Sequence, residues 1–202
     1  MSKFFPLIFV LLWSSAFITT LPIVLNSDPF SALAFRFFFV GLCFFAFCIY
    51  KKLLLKVSIN NLINSLSTGI LFHGFYLGGV FYAIFIGLPT GIVALVVTLQ
   101  PILTNIFAGY ILNENVSFNQ WIGVVMGFTG AVLVIGFDVG KSLPLEGIIS
   151  TLIALLAITI STIWQKKVSN NIPLAVNNMY QAIGAVLFHL IIISFIFEKP
   201  FL

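Results

Sequence analysis

The sequence predicts an all-α membrane protein, a polytopic helical bundle, and three observations carry that prediction. The composition is 61% hydrophobic against 7% charged, with a mean hydropathy of +1.20, too apolar for a soluble partition into core and surface. The apolar runs recur at roughly 20 residues, the length that takes a helix across a hydrocarbon core of ~30 Å. The ten-residue alternating segments of a porin-like barrel do not occur in the sequence.

Seven spans follow, over residues 4–25, 30–50, 62–86, 90–112, 118–137, 146–164 and 173–197. In the first, Lys3 followed by FFPLIFVLLW has the look of a secretory leader. The apolar run continues to Leu25, well past a leader's core of about 7 to 15 residues, and no small-x-small cleavage site follows. The turn NSDP (26–29) leads into span two, where Arg36 either snorkels to the outer interface or faces the bundle interior. Cys43 and Cys48 share that span and, lacking a second ligand pair, read as packing residues. Span three carries His73 near its centre and closes on GLP (87–89); span four is interrupted by Pro101. After NENVS (113–117), Ser117 and Gln120 form a capping-box pattern that starts span five. Its Gly123, Gly127 and Gly130 permit close helix approach, either internally or in a homodimer. FDVGKSLP (137–144) separates it from span six, and Pro173 opens span seven.

Orientation comes from the basic residues, which are retained on the cytoplasmic side. With the N-terminus inside, Lys3, Lys51, Lys52, Lys56, Lys166 and Lys167 lie inside, and Lys141 and Lys199 outside. The net charge of +4 is therefore topological, and no nucleic-acid partner is implied. An internal repeat is also visible. Pro29 and Pro173 stand 144 residues apart, and Asn26 with Asn170, and Leu11-Leu12 with Leu155-Leu156, match at that offset. Five spans intervene, so the second copy enters the membrane inverted. Its first loop, QKKVSNN, carries two basic residues where NSDP has none, as inversion requires. Inverted repeats place a solute site near the midplane, between the halves.

LLWSSAFI in span one, ALAFRF entering span two, and above all the stretch from Tyr82 to Gly136 resemble the EamA family of the drug/metabolite transporter superfamily. In that stretch the mid-helix Pro101, the glutamate Glu114 and the Trp-Ile-Gly opening at Trp121 to Gly123 carry the likeness. The resemblance implies a first five-helix repeat over 1–137 and the start of a second, inverted repeat over 145–202. It also implies a secondary transporter that exports a small metabolite, an amino acid or related compound, by alternating access. Such a protein is multi-pass in the cell membrane, the inner membrane if bacterial, with lipid and a small-molecule solute as partners and no cofactor. The chain ends at EKPFL, three helices short of the family's ten. An inactive fragment, or a helper half needing a complementing chain, are therefore alternatives. An intramembrane enzyme built on His73 is a further alternative. It would need a nucleophile or metal cluster, and the sequence shows no phosphate loop, zinc signature or nucleophile elbow.

The candidate site residues are the polar groups at membrane depth. Pro101 lacks a backbone donor and frees the Val97 carbonyl, among Gln100, Thr104 and Asn105. This is either a packed kink or a bend lining a cavity. Glu114 reads as a cytoplasmic gate or as a solvated loop carboxylate. Ser15 and Thr19, one turn apart with Trp13 nearby, and Ser161 with Thr162 in the pseudo-equivalent span six, are candidate solute contacts. The competing reading has each hydroxyl bonded back to its own helix. His73, with Tyr76 three residues on, is either a cavity or proton-coupling group or a neutral structural histidine.

Overall fold

The structure is a computed structural model and describes residues 4–112, 117–135, 143–168 and 172–196. Among them there are helices and no strands. Five helical stretches are long and apolar enough to cross a membrane: Pro29–Tyr50, Ile59–Phe85, Thr90–Phe107, Leu145–Lys166 and Leu174–Phe195. Val10–Asn26 and Trp121–Gly130 are shorter apolar helices. Together they occupy the seven spans expected from the sequence.

Local chemistry sets the ends. Helix α1 (Phe5–Asn26) runs through Pro22 without a break. Helix α2 (Pro29–Tyr50) starts where Asp28 Oδ2 accepts the Ser31 N–H at 2.6 Å, with Pro29 in the first turn where no donor is needed. It ends at Lys52, which takes the left-handed conformation (φ 53°) so that Leu53 N–H can reach the Cys48 carbonyl at 2.9 Å. The same closure ends the third span at Gly87 (φ 95°), with Leu88 N–H on the Ala83 carbonyl at 3.0 Å.

Two of the expected spans are not uniform helices. The third is an α-helix, α3 (Ile59–Gly69), then a π-helical segment (Ile70–Tyr76), then α4 (Leu77–Phe85). The fourth is α5 (Thr90–Val97) and α6 (Gln100–Leu112), separated at Thr98 and Leu99. Helices α7 (Phe118–Ile135), α8 (Leu145–Val168) and α9 (Leu174–Ile196) complete the chain.

The core lies where α2, the π segment, α4, α8 and α9 meet, around Leu33, Phe37, Tyr76, Val80, Ile158 and Ala182. Helices α2 and α9 run antiparallel: Phe30 packs with Ile193 at one end, and a Cβ on Gly41 would lie 3.5 Å from that of Ala182 towards the other. Tyr180 OH donates to the Leu55 carbonyl at 2.8 Å and ties α9 to the loop after α2. Helices α3 and α9 cross with their backbones nearly touching, since a Cβ on Gly69 would strike the Gln181 carbonyl and one on Gly184 would lie 2.5 Å from the Leu66 carbonyl oxygen.

The π segment explains why one span can seat on two partners. In an α-helix five residues advance by about 500°, so Gly69 and Gly74 would point about 140° apart. In the wider π turns five residues make little more than one revolution. Both glycines accordingly face α9, Gly69 against Gln181 and Gly74 against Phe188. Beyond the segment, Gly79 turns to α8, where Ser150 Oγ donates to its carbonyl at 3.0 Å.

Candidate functional site

Two cavities flank α1. The first, about 310 Å³, lies between α1, the start of α2, the π segment and α4. Trp13 and Thr20 reach it from α1, Arg36 and Phe37 from α2, and His73 and Tyr76 from the π segment. The rings are in contact: Phe37 and His73 have centroids 4.6 Å apart, and Phe72 meets Tyr76 edge-on at 5.6 Å. The Arg36 guanidinium stands 5.7 Å from the Phe37 ring centroid.

His73 is held by the backbone anomaly it sits in. Leu77 N–H, the α-helical donor for the His73 carbonyl, bonds instead to the Gly74 carbonyl. The His189 Nε2 of α9 lies 3.1 Å from the His73 carbonyl. A carbonyl can only accept, so His189 carries its proton on Nε2. His189 is fully buried and stacks on Phe37 with ring centroids 6.2 Å apart. The Nδ1 atoms of both histidines are buried without a hydrogen-bond partner among the described residues.

The second cavity, about 990 Å³, lies between α1, the α5 to α6 break and α7. Trp13 is shared with the first, so α1 forms the partition between them. The break has a covalent cause. Pro101 has no N–H for the Val97 carbonyl, and the chain tightens before it, with Leu99 N–H on the Val96 carbonyl at 3.1 Å. Thr98, Gln100, Pro101 and Asn105 line the cavity. Gln100 Nε2 donates to Thr104 Oγ1 and to Thr162 Oγ1 of α8, both at 3.3 Å, so a polar bridge joins the two helices beside the break.

The expected site residues are thus divided. Trp13, His73 and Tyr76 come together at the first cavity; Gln100 and Pro101 line the second, and Thr104 is tied to it through Gln100. Ser15 and Thr19, expected to face the solute, are on the exposed side of α1. They bond back to their own helix, Ser15 Oγ to the Leu12 carbonyl at 2.8 Å and Thr19 Oγ1 to the Ser15 and Ala16 carbonyls at 3.1 Å. Thr20, one residue on, is buried and lines the first cavity instead. Ser161 is buried in α8 with its Oγ on the Ile158 carbonyl at 3.1 Å, and it lines neither cavity. A Cβ on Gly123, Gly127 or Gly130 would meet nothing within 4 Å, so the close internal helix approach expected there is not made among the described residues. Glu114 lies outside the described residues.

Sequence reasoning left the side of Arg36 open, passed over Thr20 and gave little weight to His189. The spacing Trp13, Ala16, Thr20 is a usable signal for the α1 face, because it steps by one turn along a single stripe.

The profile of the EamA-like transporter family matches residues 3–136. A segment of 111 residues, 55% of the chain, is 25% identical to the "Uncharacterized transporter YvbV" of Bacillus subtilis (strain 168). That segment spans 35% of the relative's length. No solved structure matches.

Proposed function

The chain belongs to the EamA-like transporter family, and from that premise we propose that it is a secondary transporter exporting a small metabolite, an amino acid or related compound, by alternating access. The observation that carries this reading is the first cavity, in which a guanidinium, an imidazole, an indole and a phenol project at membrane depth onto one enclosed space. Ionisable groups are costly in a span and mark solute or ion pathways. A cavity of 310 Å³ holds about ten water volumes at ~30 Å³ each, which suits a solute of amino-acid size.

The second cavity supplies the movement. It opens at the α5 to α6 break, where the helix can bend without losing a hydrogen bond it never had, and the Gln100 to Thr162 contact couples that bend to α8. Residues 1–137 act as one repeat and 145–202 as part of a second, inverted one; the antiparallel pairing of the pseudo-equivalent α2 and α9 favours this. The protein sits in the cell membrane with its N-terminus in the cytoplasm, an orientation that rests on the lysine bias.

The test is flux. The full chain in phosphatidylcholine vesicles, offered a panel of radiolabelled amino acids and small carboxylates, should give saturable accumulation. Ala16→Trp, which fills the first cavity, should abolish it. Folded, inserted protein that moves none of these compounds would refute autonomous transport by this chain.

A further inference from the structure

We propose that the first cavity binds an organic monoanion with an apolar, preferentially aromatic body, and that the Arg36 guanidinium receives its carboxylate. This rests on the transporter reading and names its substrate class.

Arg36 lies two turns inside an apolar helix and on the cavity wall. Among the described residues it has neither an ion pair nor a hydrogen bond; its neighbour is the Phe37 ring. A guanidinium presents five donors in a planar fork that matches a carboxylate. The described carboxylates are elsewhere. Asp28 is spent capping α2 about 12 Å along the helix, at 1.5 Å per residue, and Glu146 is exposed in the first turn of α8. An anionic solute would therefore supply the partner that the fold does not.

The remaining walls say what the anion carries. Phe17, Phe37, Phe72 and Phe81, with Trp13 and Tyr76, enclose the space in aromatic rings. Stacking of that kind favours a flat apolar body. No carboxylate lines the cavity, so the α-ammonium of an amino acid would find no counter-charge. Thr20 Oγ1 is already committed to the Ala16 carbonyl at 2.7 Å, and the His73 Nδ1 is the one buried acceptor without a partner. The cavity thus selects acid over zwitterion. The carboxylate class could equally arrive as a phospholipid headgroup, since Arg36 is exposed. The experiment separates the two.

Trp13 reports occupancy directly, because the other two tryptophans, Trp121 and Trp164, lie on α7 and α8 and line neither cavity. In the full chain carrying Trp121→Phe and Trp164→Phe, in phosphatidylcholine vesicles, Trp13 emission is titrated with hydrocinnamate, its neutral amide, and phenylalanine. Hydrocinnamate should bind at least about tenfold more tightly than either, the equivalent of 1.4 kcal/mol. Arg36→Gln should erase the advantage over the amide, and Arg36→Lys should retain part of it. Equal binding of acid and amide, an advantage that survives Arg36→Gln, or phenylalanine binding as tightly as hydrocinnamate would each overturn the proposal. So would loss of the signal when half the lipid is replaced by phosphatidylglycerol, which would assign Arg36 to headgroups. If Arg36→Gln does not accumulate, the acid-to-amide ratio in the parent and in Arg36→Lys still decides the matter. Charge-selective binding without flux would sink the transporter reading alone, and flux indifferent to Arg36 would sink this one alone.

Discussion

Replacing Gly69 by alanine adds one methyl group where α3 and α9 already touch. The new Cβ would strike the Gln181 carbonyl and lie 2.6 Å from the Gln181 Cα, both parts of a backbone that has no rotamer to yield. Restoring an ordinary carbon contact of 3.5 to 4.0 Å requires the helices to part by about 1 Å. Overpacking of that kind costs about 1–3 kcal/mol. Alanine also favours the helix over glycine by about 0.5–1 kcal/mol, which offsets part of the loss. The net is a destabilisation of about 1–2 kcal/mol, and at 2–4 °C per kcal/mol for a chain of this size the Tm falls by about 2–8 °C. Gly127→Ala provides the matched control. The same methyl group on α7 meets nothing within 4 Å, so only the propensity gain remains and the Tm should rise slightly. Thermal denaturation of both variants in one detergent, followed by retention of the monodisperse species, measures the difference. If Gly69→Ala proved as stable as Gly127→Ala, the backbone crossing of α3 and α9 would be wrong.

Three further outcomes are expected. Pro101→Ala supplies the N–H that the Val97 carbonyl lacks and should fuse α5 with α6; labelling of Thr104→Cys from the two membrane faces should then change its ratio several-fold, about 1 kcal/mol, and an unchanged ratio would leave the break as packing alone. His189→Leu removes the donor to the His73 carbonyl and should cost about 1–3 kcal/mol in the same thermal assay, whereas His189→Gln, which can still donate, should lose less; equal losses would show that ring shape matters and the hydrogen bond does not. His73→Gln should flatten the pH dependence of flux in reconstituted vesicles while counterflow exchange persists, and a pH profile identical to the parent's would remove His73 from proton coupling.

The spans were legible because a membrane imposes a length, and turn chemistry marks where each length ends. Ser117 announces a helix that begins at Phe118, and the glycine of GLP takes the positive φ that closes α4. What could not be read was facing. In lipid the outer surface of a helix is as apolar as its inner one, so the 3.6-residue contrast that orients a soluble helix is weak. Phe35, Phe38 and Phe39 are exposed while Phe30 and Phe37 are buried, and the sequence does not distinguish them. Ser15 and Thr19 were placed on the wrong stripe of α1 for that reason, one residue from the buried Thr20. The π segment escaped notice for a related reason: an extra residue in an apolar run alters neither its length class nor its hydropathy. Its trace was the five-residue spacing of Gly69, Gly74 and Gly79, which an α-helix cannot keep on one side.

That extra residue makes the third span a mechanical phase shifter. The two halves of one continuous rod are clocked about 100° apart, the angle a single residue adds, so each half meshes with a different neighbour. Losing one residue between Ile70 and Tyr76 would leave the rod long enough to cross the bilayer but would turn Gly79 away from Ser150, or Gly69 away from Gln181. Insertions and deletions in most membrane helices are absorbed as tilt. In this one they would act as a gear slipped by one tooth, and the histidine at the slip would move with it.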